Sequence, residues 1–126
     1  MPVLLWVAAG GAIGSAARYM VNVWSGRLLG MEFPWHTLIV NIAGCFAVGL
    51  LVELMALKLN VGNEVRAFLT TGILGGFTTF SAFSLDFALL VEHKSYGLAG
   101  AYAASSVLIS LIAVFAGLYL VRALAA

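Results

Sequence analysis

The sequence predicts an all-α membrane protein that crosses the bilayer four times, and three observations support this fold class. Of its 126 residues, 63% are hydrophobic and only 9% are charged, whereas a soluble domain carries about a quarter charged residues. Four apolar segments each reach the length of about 20 residues that spans the hydrocarbon of a bilayer. The connections between them are short, so residues 1–126 are predicted to form a single four-helix transmembrane domain.

Composition also argues against several functions. The formal net charge is +1 and the six basic residues are dispersed, which argues against a nucleic-acid partner. The N-terminus has no basic residues before its apolar run, so we expect no cleaved signal peptide. No nucleophile, base and orienting group occur together, so we do not expect an enzyme.

The cysteine and the histidines suggest no metal site in side chains. Cys45 is the only cysteine, and within an apolar helix we expect it to behave as an inert, small hydrophobic residue. His36 and His93 lie near the ends of different segments with no second ligand nearby, which disfavours a site such as zinc requires.

The first span is predicted at residues 3–23. It carries Gly10, Gly11 and Gly14 among alanines, a composition typical of closely packed membrane helices. Arg18 lies about 22 Å along this helix at 1.5 Å per residue, so its guanidinium is expected to reach the far interface. The alternative is a positively charged vestibule that attracts anions.

The second span is predicted at residues 35–57 and contains a carboxamide, Asn41, well inside it. An unpaired amide in hydrocarbon costs several kcal/mol, so Asn41 requires a partner. That partner is either a polar group of another helix or a permeating anion. Glu53 lies close enough to the end of the span to reach the lipid headgroups.

The third span, residues 64–92, is the longest and is predicted to break at mid-membrane. Its centre, Gly72 to Ser84, reads G-I-L-G-G-F-T-T-F-S-A-F-S, and adjacent glycines followed by adjacent threonines disfavour a continuous helix. Irregular backbone within a bilayer must be covered by protein or line a water-filled path, and such breaks commonly bind ions. Alternatively, the glycines only allow close helix contacts and the hydroxyls bond to their own helix.

Four phenylalanines recur along this span at spacings of three and four residues, which places them on one helix face. Such a stripe usually serves packing. Here it is mixed with threonines and serines, so ring edges, which carry partial positive charge, could help to hold a small anion. The stripe comprises Phe77, Phe80, Phe83 and Phe87.

The fourth span is predicted at residues 97–121. Tyr102, Ser106 and Ser110 recur every four residues and therefore form a polar ladder along the helix, whereas Ser105 points elsewhere. A lone serine in a membrane helix usually bonds to the carbonyl four residues earlier. Three hydroxyls in register favour a lined path instead.

Basic residues are balanced between the two membrane sides. Short connections place both termini on one side, and each side then receives three basic residues, so the positive-inside rule selects no orientation. We therefore expect copies to insert in both orientations and to pair about a two-fold axis in the membrane plane. The two sets are Lys58, Arg66 and Arg122 on one side, and Arg18, Arg27 and Lys94 on the other.

Three motifs carry a family resemblance. They are G-x-x-G-x-x-x-R at 11–18, T-L-x-V-N-x-x-G at 37–44 and G-G-F-T-T-F-S-x-F-S at 75–84. With them, the sequence resembles the Fluc (CrcB) fluoride ion channels of bacteria over nearly its whole length. One departure is Ala82, where many members have threonine.

The resemblance implies a passive, selective fluoride channel of the bacterial inner membrane that exports cytoplasmic fluoride and gives fluoride resistance. It implies an antiparallel, dual-topology homodimer with two pores. Arg18 would lie in the vestibule, and a Na⁺ ion on the two-fold axis would be held by the backbone carbonyls of Gly75 and Thr78 from both subunits. The implied fluoride pathway comprises Asn41, Phe80, Ser81, Phe83, Tyr102, Ser106 and Ser110.

Two other functions fit a small four-helix membrane protein. A dual-topology multidrug-type exporter would exchange protons with a cationic drug at a membrane-embedded carboxylate, and the first span has no Asp or Glu. A non-conducting assembly subunit would use the glycines and serines only as contacts between helices.

Overall fold

The computed structural model describes residues 2–30, 33–57 and 61–125, and within them four helical spans are long and apolar enough to cross a membrane. This confirms the predicted all-α membrane class. Three spans are single helices, and the third combines several helical pieces. In chain order the elements are α1 (Pro2–Leu29), α2 (Trp35–Leu57), α3 (Asn63–Ala67), a π-helical segment (Phe68–Leu74), α4 (Gly75–Phe77), α5 (Ser81–Glu92) and α6 (Tyr96–Ala125).

The first span extends beyond its predicted end at residue 23. Its 28 residues measure about 42 Å, and the helix ends only at Gly30, whose φ of 85° lies in the left-handed region that glycine adopts readily. The prediction was too short because it allowed only the length that crosses hydrocarbon. Arg18 therefore lies near the middle of α1.

The predicted break in the third span is confirmed, but it is narrower than the Gly72 to Ser84 run suggested. Only residues 78–80 leave the helix, and Thr78 is extended, with φ −88° and ψ 158°. Gly75 and Gly76 remain helical within α4. The π-helical segment comes directly before them, a geometry that is rare and frequently occurs at functional sites.

Glycines bring α1 into close contact with the first half of the third span. A Cβ atom on Gly10 would lie 2.5 Å from the carbonyl oxygen of Phe68, and one on Gly76 would lie 2.7 Å from that of Gly11. A Cβ on Gly14 would overlap the carbonyl oxygen of Ile73. The glycines thus serve close helix contact, as the alternative interpretation of the sequence proposed, alongside the break.

Helix α2 packs mainly along α6, again through glycine. Side chains at Gly49 or Gly117 would overlap the backbone of the opposite helix. Near the same end of α2, Glu53 is buried and forms an ion pair with Arg122. The carboxylate that was expected to reach the lipid headgroups is thus paired within the chain by a cation of α6.

A small core ties α2, α5 and α6 together near the start of α2. Tyr102 is fully buried at its centre, and Phe33 and Phe83 pack against it. This core fixes one wall of the cavity described below. Its other members are Leu38, Ile42, Leu90 and Ala99.

The glycine contacts predict a large difference between two neighbouring substitutions. Gly14→Ala is expected to lower the free energy of unfolding by about 1–3 kcal/mol, the usual cost of overpacking. Gly11→Ala is the matched control, since its Cβ would meet no atom within 4 Å and alanine is the better helix former. Thermal unfolding of the purified variants, followed by circular dichroism, measures both. Equal stability of the two variants would contradict the close packing of α1 on Ile73.

Candidate functional site

Asn41 holds the break in the third span through two hydrogen bonds to one residue. The backbone N–H of Thr79 donates to Asn41 Oδ1, and Asn41 Nδ2 donates to the carbonyl oxygen of Thr79, each over 2.8 Å. This pairing identifies the partner that an amide within the membrane requires. A carboxamide nitrogen carries two N–H donors, so one remains available on Asn41.

Threonine hydroxyls satisfy further groups around the break. Thr79 Oγ1 accepts the backbone N–H of Ala82 over 3.1 Å and lies 3.3 Å from Ser81 Oγ. Thr78 Oγ1 donates to the carbonyl of Leu74 over 2.9 Å, the behaviour expected of a hydroxyl that bonds to its own helix. The two threonines therefore differ, since only Thr79 supports the broken segment.

Two backbone carbonyls lose their usual donors at the break. In a continuous helix the N–H of Thr79 would bond to the carbonyl of Gly75, and that of Ala82 to the carbonyl of Thr78. Both N–H groups donate to side chains instead, and Gly75 is exposed on the surface of the single chain. Carbonyls of unwound membrane helices are suitable ligands for Na⁺, so these two carbonyl oxygens fit such an ion.

Within the ranges that the structure describes, no group of three or more His, Cys, Asp or Glu side chains is placed to hold a metal ion.

Arg18 contacts the helical residue two positions before the break. Its Nε donates to the carbonyl oxygen of Gly76 over 3.0 Å, so the third span engages the side chain that was expected to extend to the far interface. Its side chain also lines a cleft of about 260 Å³ together with His36 and Thr79. The guanidinium has five N–H donors, so it can bond to Gly76 and still present positive charge to this cleft.

The main cavity adjoins the break, and Thr79 lines both it and the Arg18 cleft. Its volume is about 480 Å³. The structure places here most of the residues that the sequence singled out, although they come from three different spans. They are Asn41, Gly75, Thr78, Phe80, Phe83, Ser106 and Ser110.

Ser106 and Ser110 line this cavity, and their hydroxyl oxygens are buried. In the described part of the chain neither Oγ atom has a hydrogen-bond partner, and Ser106 is only 6% exposed. Ser105 instead donates to the carbonyl of Ala101 over 2.6 Å. Burying a hydroxyl without a partner costs about 1–3 kcal/mol, so these two serines point to a polar ligand in the cavity.

Phe80, Phe83 and Ser81 lie where the third span resumes. The Phe80 and Phe83 rings have centroids 5.5 Å apart and are tilted by 44°. Phe80 is 76% exposed in the single chain, whereas Phe83 packs against Tyr102. Ser81 is the exposed first residue of α5 and contacts Thr79 rather than the cavity.

The structure separates Tyr102 from the two serines of its ladder. Tyr102 is fully buried, and its hydroxyl donates to Asp86 Oδ2 over 3.0 Å. Thr37 Oγ1 donates to the same oxygen over 2.7 Å. The Tyr102 ring lies between Phe83 and Phe33, with centroid distances of 5.1 and 5.4 Å. Its hydroxyl is thus engaged by a carboxylate, unlike those of Ser106 and Ser110.

The sequence analysis did not place two residues of this region, Asp86 and Cys45, at the site. Asp86 is a carboxylate inside an apolar span, a feature that by itself indicates a functional position. Cys45 was expected to be an inert hydrophobic residue, yet it is only half-buried and lines the main cavity. Cys45 follows Asn41 by four residues, which places both on one helix face. This spacing could have indicated that Cys45 lies beside the site.

Known proteins of one family match this chain over nearly its whole length. The family model for CrcB-like protein, Camphor Resistance (CrcB), matches residues 5–118. A Fluoride-specific ion channel FluC from Agrobacterium fabrum is 60% identical over 116 residues, which cover 92% of this chain and 93% of the relative.

Two further relatives carry the same name. The protein from Rhizobium etli is 55% identical over 120 residues, covering 95% of this chain and 96% of the relative. The one from Rhodospirillum centenum is 52% identical over 122 residues, covering 97% of each. The matches extend from the first span through the fourth, and this multi-pass membrane protein therefore belongs to the CrcB family.

Proposed function

We propose that the protein is a passive, fluoride-selective channel that lets cytoplasmic fluoride leave the cell and so gives fluoride resistance. Its relatives from three bacteria are named fluoride-specific ion channels. The observation that carries the proposal is the main cavity, which is lined by Asn41, Ser106 and Ser110. Asn41 keeps one N–H beyond its bond to Thr79, and the two buried serine hydroxyls have no partner in the described part of the chain.

This wall suits a small, strongly hydrated anion. Fluoride must exchange water for other donors, and amide, hydroxyl and aromatic-edge groups supply partial positive charge without a fixed cation. Conduction requires binding that is favourable yet weak or divided over several sites. Two serines one helical turn apart, with Asn41 and the Phe83 ring beside the same cavity, provide such divided binding.

The helix end at the break adds further positive partial charge near the cavity. Helix α5 begins at Ser81, immediately after Phe80 in the cavity wall. The N-terminus of a helix carries partial positive charge and favours anions. Arg18 adds a full positive charge at the break, in the neighbouring cleft. A cleft lined by charge of one sign concentrates ions of the other sign, so we assign this cleft as an anion vestibule.

We also infer an antiparallel homodimer, for which incomplete burial of the broken span is the main support. Only 11% of the most apolar part of the third span is buried within one chain, the same share as in the first span, but the third span also has irregular backbone that requires cover. Phe80 and Gly75 are exposed beside the break. A second copy would cover this face, and two copies would contain two such cavities, hence two pores.

The distribution of basic residues is consistent with both insertions. Arg66 and Arg122 lie toward one membrane side, and Arg27 and Lys94 toward the other. Arg18 is near mid-span, and Lys58 lies outside the described residues. The positive-inside rule then has little imbalance on which to act.

A Na⁺ ion on the two-fold axis would be held by the carbonyls of Gly75 and Thr78 from both copies, the two carbonyls that lose their helical donors. When bound, it would supply positive charge between the two pores.

A proton-coupled exporter is the second candidate, because Asp86 places a carboxylate inside the membrane. That carboxylate accepts hydrogen bonds from Thr37 and Tyr102 at one oxygen, Oδ2, so a drug cation could pair with it only through the other oxygen or by displacing these two donors. A non-conducting subunit would use Ser106 and Ser110 for contacts between helices, and such contacts would pair their hydroxyls. Neither hydroxyl has a partner among the described residues, so this function is less consistent with the structure.

Ion flux from liposomes tests the channel. Purified protein is expected to release fluoride passively and much faster than chloride, as measured with ion-selective electrodes. Asn41→Asp should lower fluoride efflux by roughly 10- to 100-fold, because a hydrogen bond to an ion contributes about 1.5–3 kcal/mol and a carboxylate would repel the anion. Asn63→Asp, on an exposed residue at the start of α3, is the matched control.

Other results of the flux assay would reject the channel. Proton-coupled efflux of an organic cation without any fluoride leak would support the exporter. Intact protein that moves neither ion would support the assembly subunit. Wild-type fluoride efflux from Asn41→Asp would remove Asn41 from the path.

Neighbouring serines on α6 provide a second, internally matched prediction. Ser106→Ala is expected to lower fluoride efflux by about tenfold, the equivalent of losing about 1.4 kcal/mol of interaction. It should not destabilise the fold, because the removed hydroxyl has no partner among the residues that the structure describes. Ser105→Ala removes a hydroxyl bonded within its own helix and should leave efflux unchanged. Parallel efflux and thermal unfolding measurements decide this, and equal efflux from the two variants would contradict the role of Ser106.

Dual insertion predicts that a C-terminal tag is reachable from both sides of the membrane. Protease added to intact inverted vesicles should remove roughly half of the tags, since balanced charge selects neither orientation. A tail bearing several extra lysines serves as the control and should bias the population toward one orientation. Complete protection, or complete cleavage, of the unmodified tag would exclude the antiparallel dimer.

A further inference from the structure

Asp86 carries a carboxylate into the apolar third span, and the proposed ion path does not use it. One of its oxygens, Oδ2, accepts hydrogen bonds from Thr37 Oγ1 over 2.7 Å and from the Tyr102 hydroxyl over 3.0 Å. These residues belong to α2, α5 and α6, so a single oxygen joins three helices. Ionisable residues within membrane spans are costly and usually serve a function, so Asp86 requires one.

The Asp86 cluster, formed by Thr37, Asp86 and Tyr102, lies one helical turn from the main cavity on all three helices. Each member is three or four residues from a residue that lines the cavity, and residues at these spacings share a helix face. The orientation of each member therefore fixes the orientation of a cavity residue. The pairs are Thr37 with Asn41 on α2, Asp86 with Phe83 on α5, and Tyr102 with Ser106 on α6.

The Asp86 cluster itself stands apart from the cavity. Tyr102 is fully buried within one chain, and none of the three described members of the cluster belongs to the cavity wall. Both hydrogen bonds are made within a single chain, so they do not depend on how a second copy covers Gly75 and Phe80. An ion in the cavity would contact the residues that the cluster orients rather than the cluster.

Apolar packing alone does not fix the rotation of these helices about their axes. Helices α2 and α6 are apolar on nearly every side, and lipid contacts apolar side chains as favourably as another helix does. Hydrogen bonds are directional, so Asp86 Oδ2 selects the faces of α2 and α6 that turn toward α5. Rotating α6 by one residue, about 100°, would remove Tyr102 from Asp86 and turn Ser106 away from its present place.

We propose that Asp86 is a positioning residue of the ion path. Its Oδ2 atom sets the rotation of α2, α5 and α6, and thereby holds the cavity residues of these three helices in place. This role requires an acceptor at that position rather than a negative charge, so an amide oxygen can replace the carboxylate. The effect on ion flux rests on the proposed function, whereas the link between the helices does not.

Efflux of fluoride and of chloride from liposomes, normalised to folded protein, tests this role. Asp86→Ala is expected to lower fluoride efflux at least about tenfold, because displacing a positioned group by about 1 Å can cost roughly 100-fold in rate. The ratio of fluoride to chloride efflux should fall as well, whereas a mere loss of folded protein would leave that ratio unchanged. Asp86→Asn should recover most of the efflux. Glu92→Ala, on an exposed acid at the end of α5, is the matched control and should change neither rate.

A double-mutant cycle separates positioning from direct contact with the ion. Tyr102→Phe keeps the ring that packs between Phe33 and Phe83 and removes only the hydroxyl. Combined with Asp86→Ala, it should cost little efflux beyond that of Asp86→Ala alone, because both changes break the same interaction. Additive losses would show that the Tyr102 hydroxyl acts independently of Asp86 and would overturn the proposal.

The remaining outcomes are equally decisive. A tenfold loss of efflux in folded Asp86→Asn would show that the negative charge is required, and would overturn the positioning role whether or not Asp86→Ala folds. Wild-type liposomes that release no fluoride would reject the proposed function, and with it the effect of Asp86 on flux. Thermal unfolding of the same variants then still decides the link between helices, since the losses of stability at Asp86 and Tyr102 should be coupled and additive losses would contradict the link.

Discussion

The pair of hydrogen bonds between Asn41 and Thr79 is the interaction on which the rest of the structure depends. Within a bilayer, backbone N–H and C=O groups have no water to bond to, so three non-helical residues are tolerated only if side chains replace the missing helix bonds. Asn41 replaces one donor and one acceptor at once. Arg18 bonds to the carbonyl of Gly76, and Thr79 accepts the N–H of Ala82. The irregular segment is therefore specified by residues from three spans.

Replacing these backbone hydrogen bonds with side-chain bonds creates groups of opposite partial charge close together at the break. Diverting the N–H groups of Thr79 and Ala82 leaves the carbonyls of Gly75 and Thr78 without their helical donors, which favours a cation. Starting a new helix at Ser81 places the positive end of its dipole next to Phe80, which lines the cavity, and this end favours an anion. A single break thus supports both the proposed Na⁺ site and the proposed fluoride path, because each uses a different set of backbone groups.

Close packing and site geometry are coupled through α1. Gly14 contacts the backbone of Ile73, and Arg18 lies one turn further along the same helix, where it reaches Gly76. A larger residue at position 14 would move the helix axis away and remove the guanidinium from the break. The glycines of the third span were open to two interpretations in the sequence, ion site or helix contact, and the structure shows Gly76 in close contact with Gly11 of α1.

Much of the fold and part of the site were determined by the sequence alone. Four spans follow from segment length and hydropathy, the break follows from adjacent glycines and threonines, and the motifs at 37–44 and 75–84 indicate the family. These are local properties. Only the tertiary structure decided that Arg18 bonds to Gly76, that Glu53 pairs with Arg122, and that Tyr102 joins Asp86 while Ser106 faces the cavity. Such pairings depend on how each helix is rotated about its axis, and helices that are apolar on nearly every side carry no amphipathic face from which that rotation could be predicted.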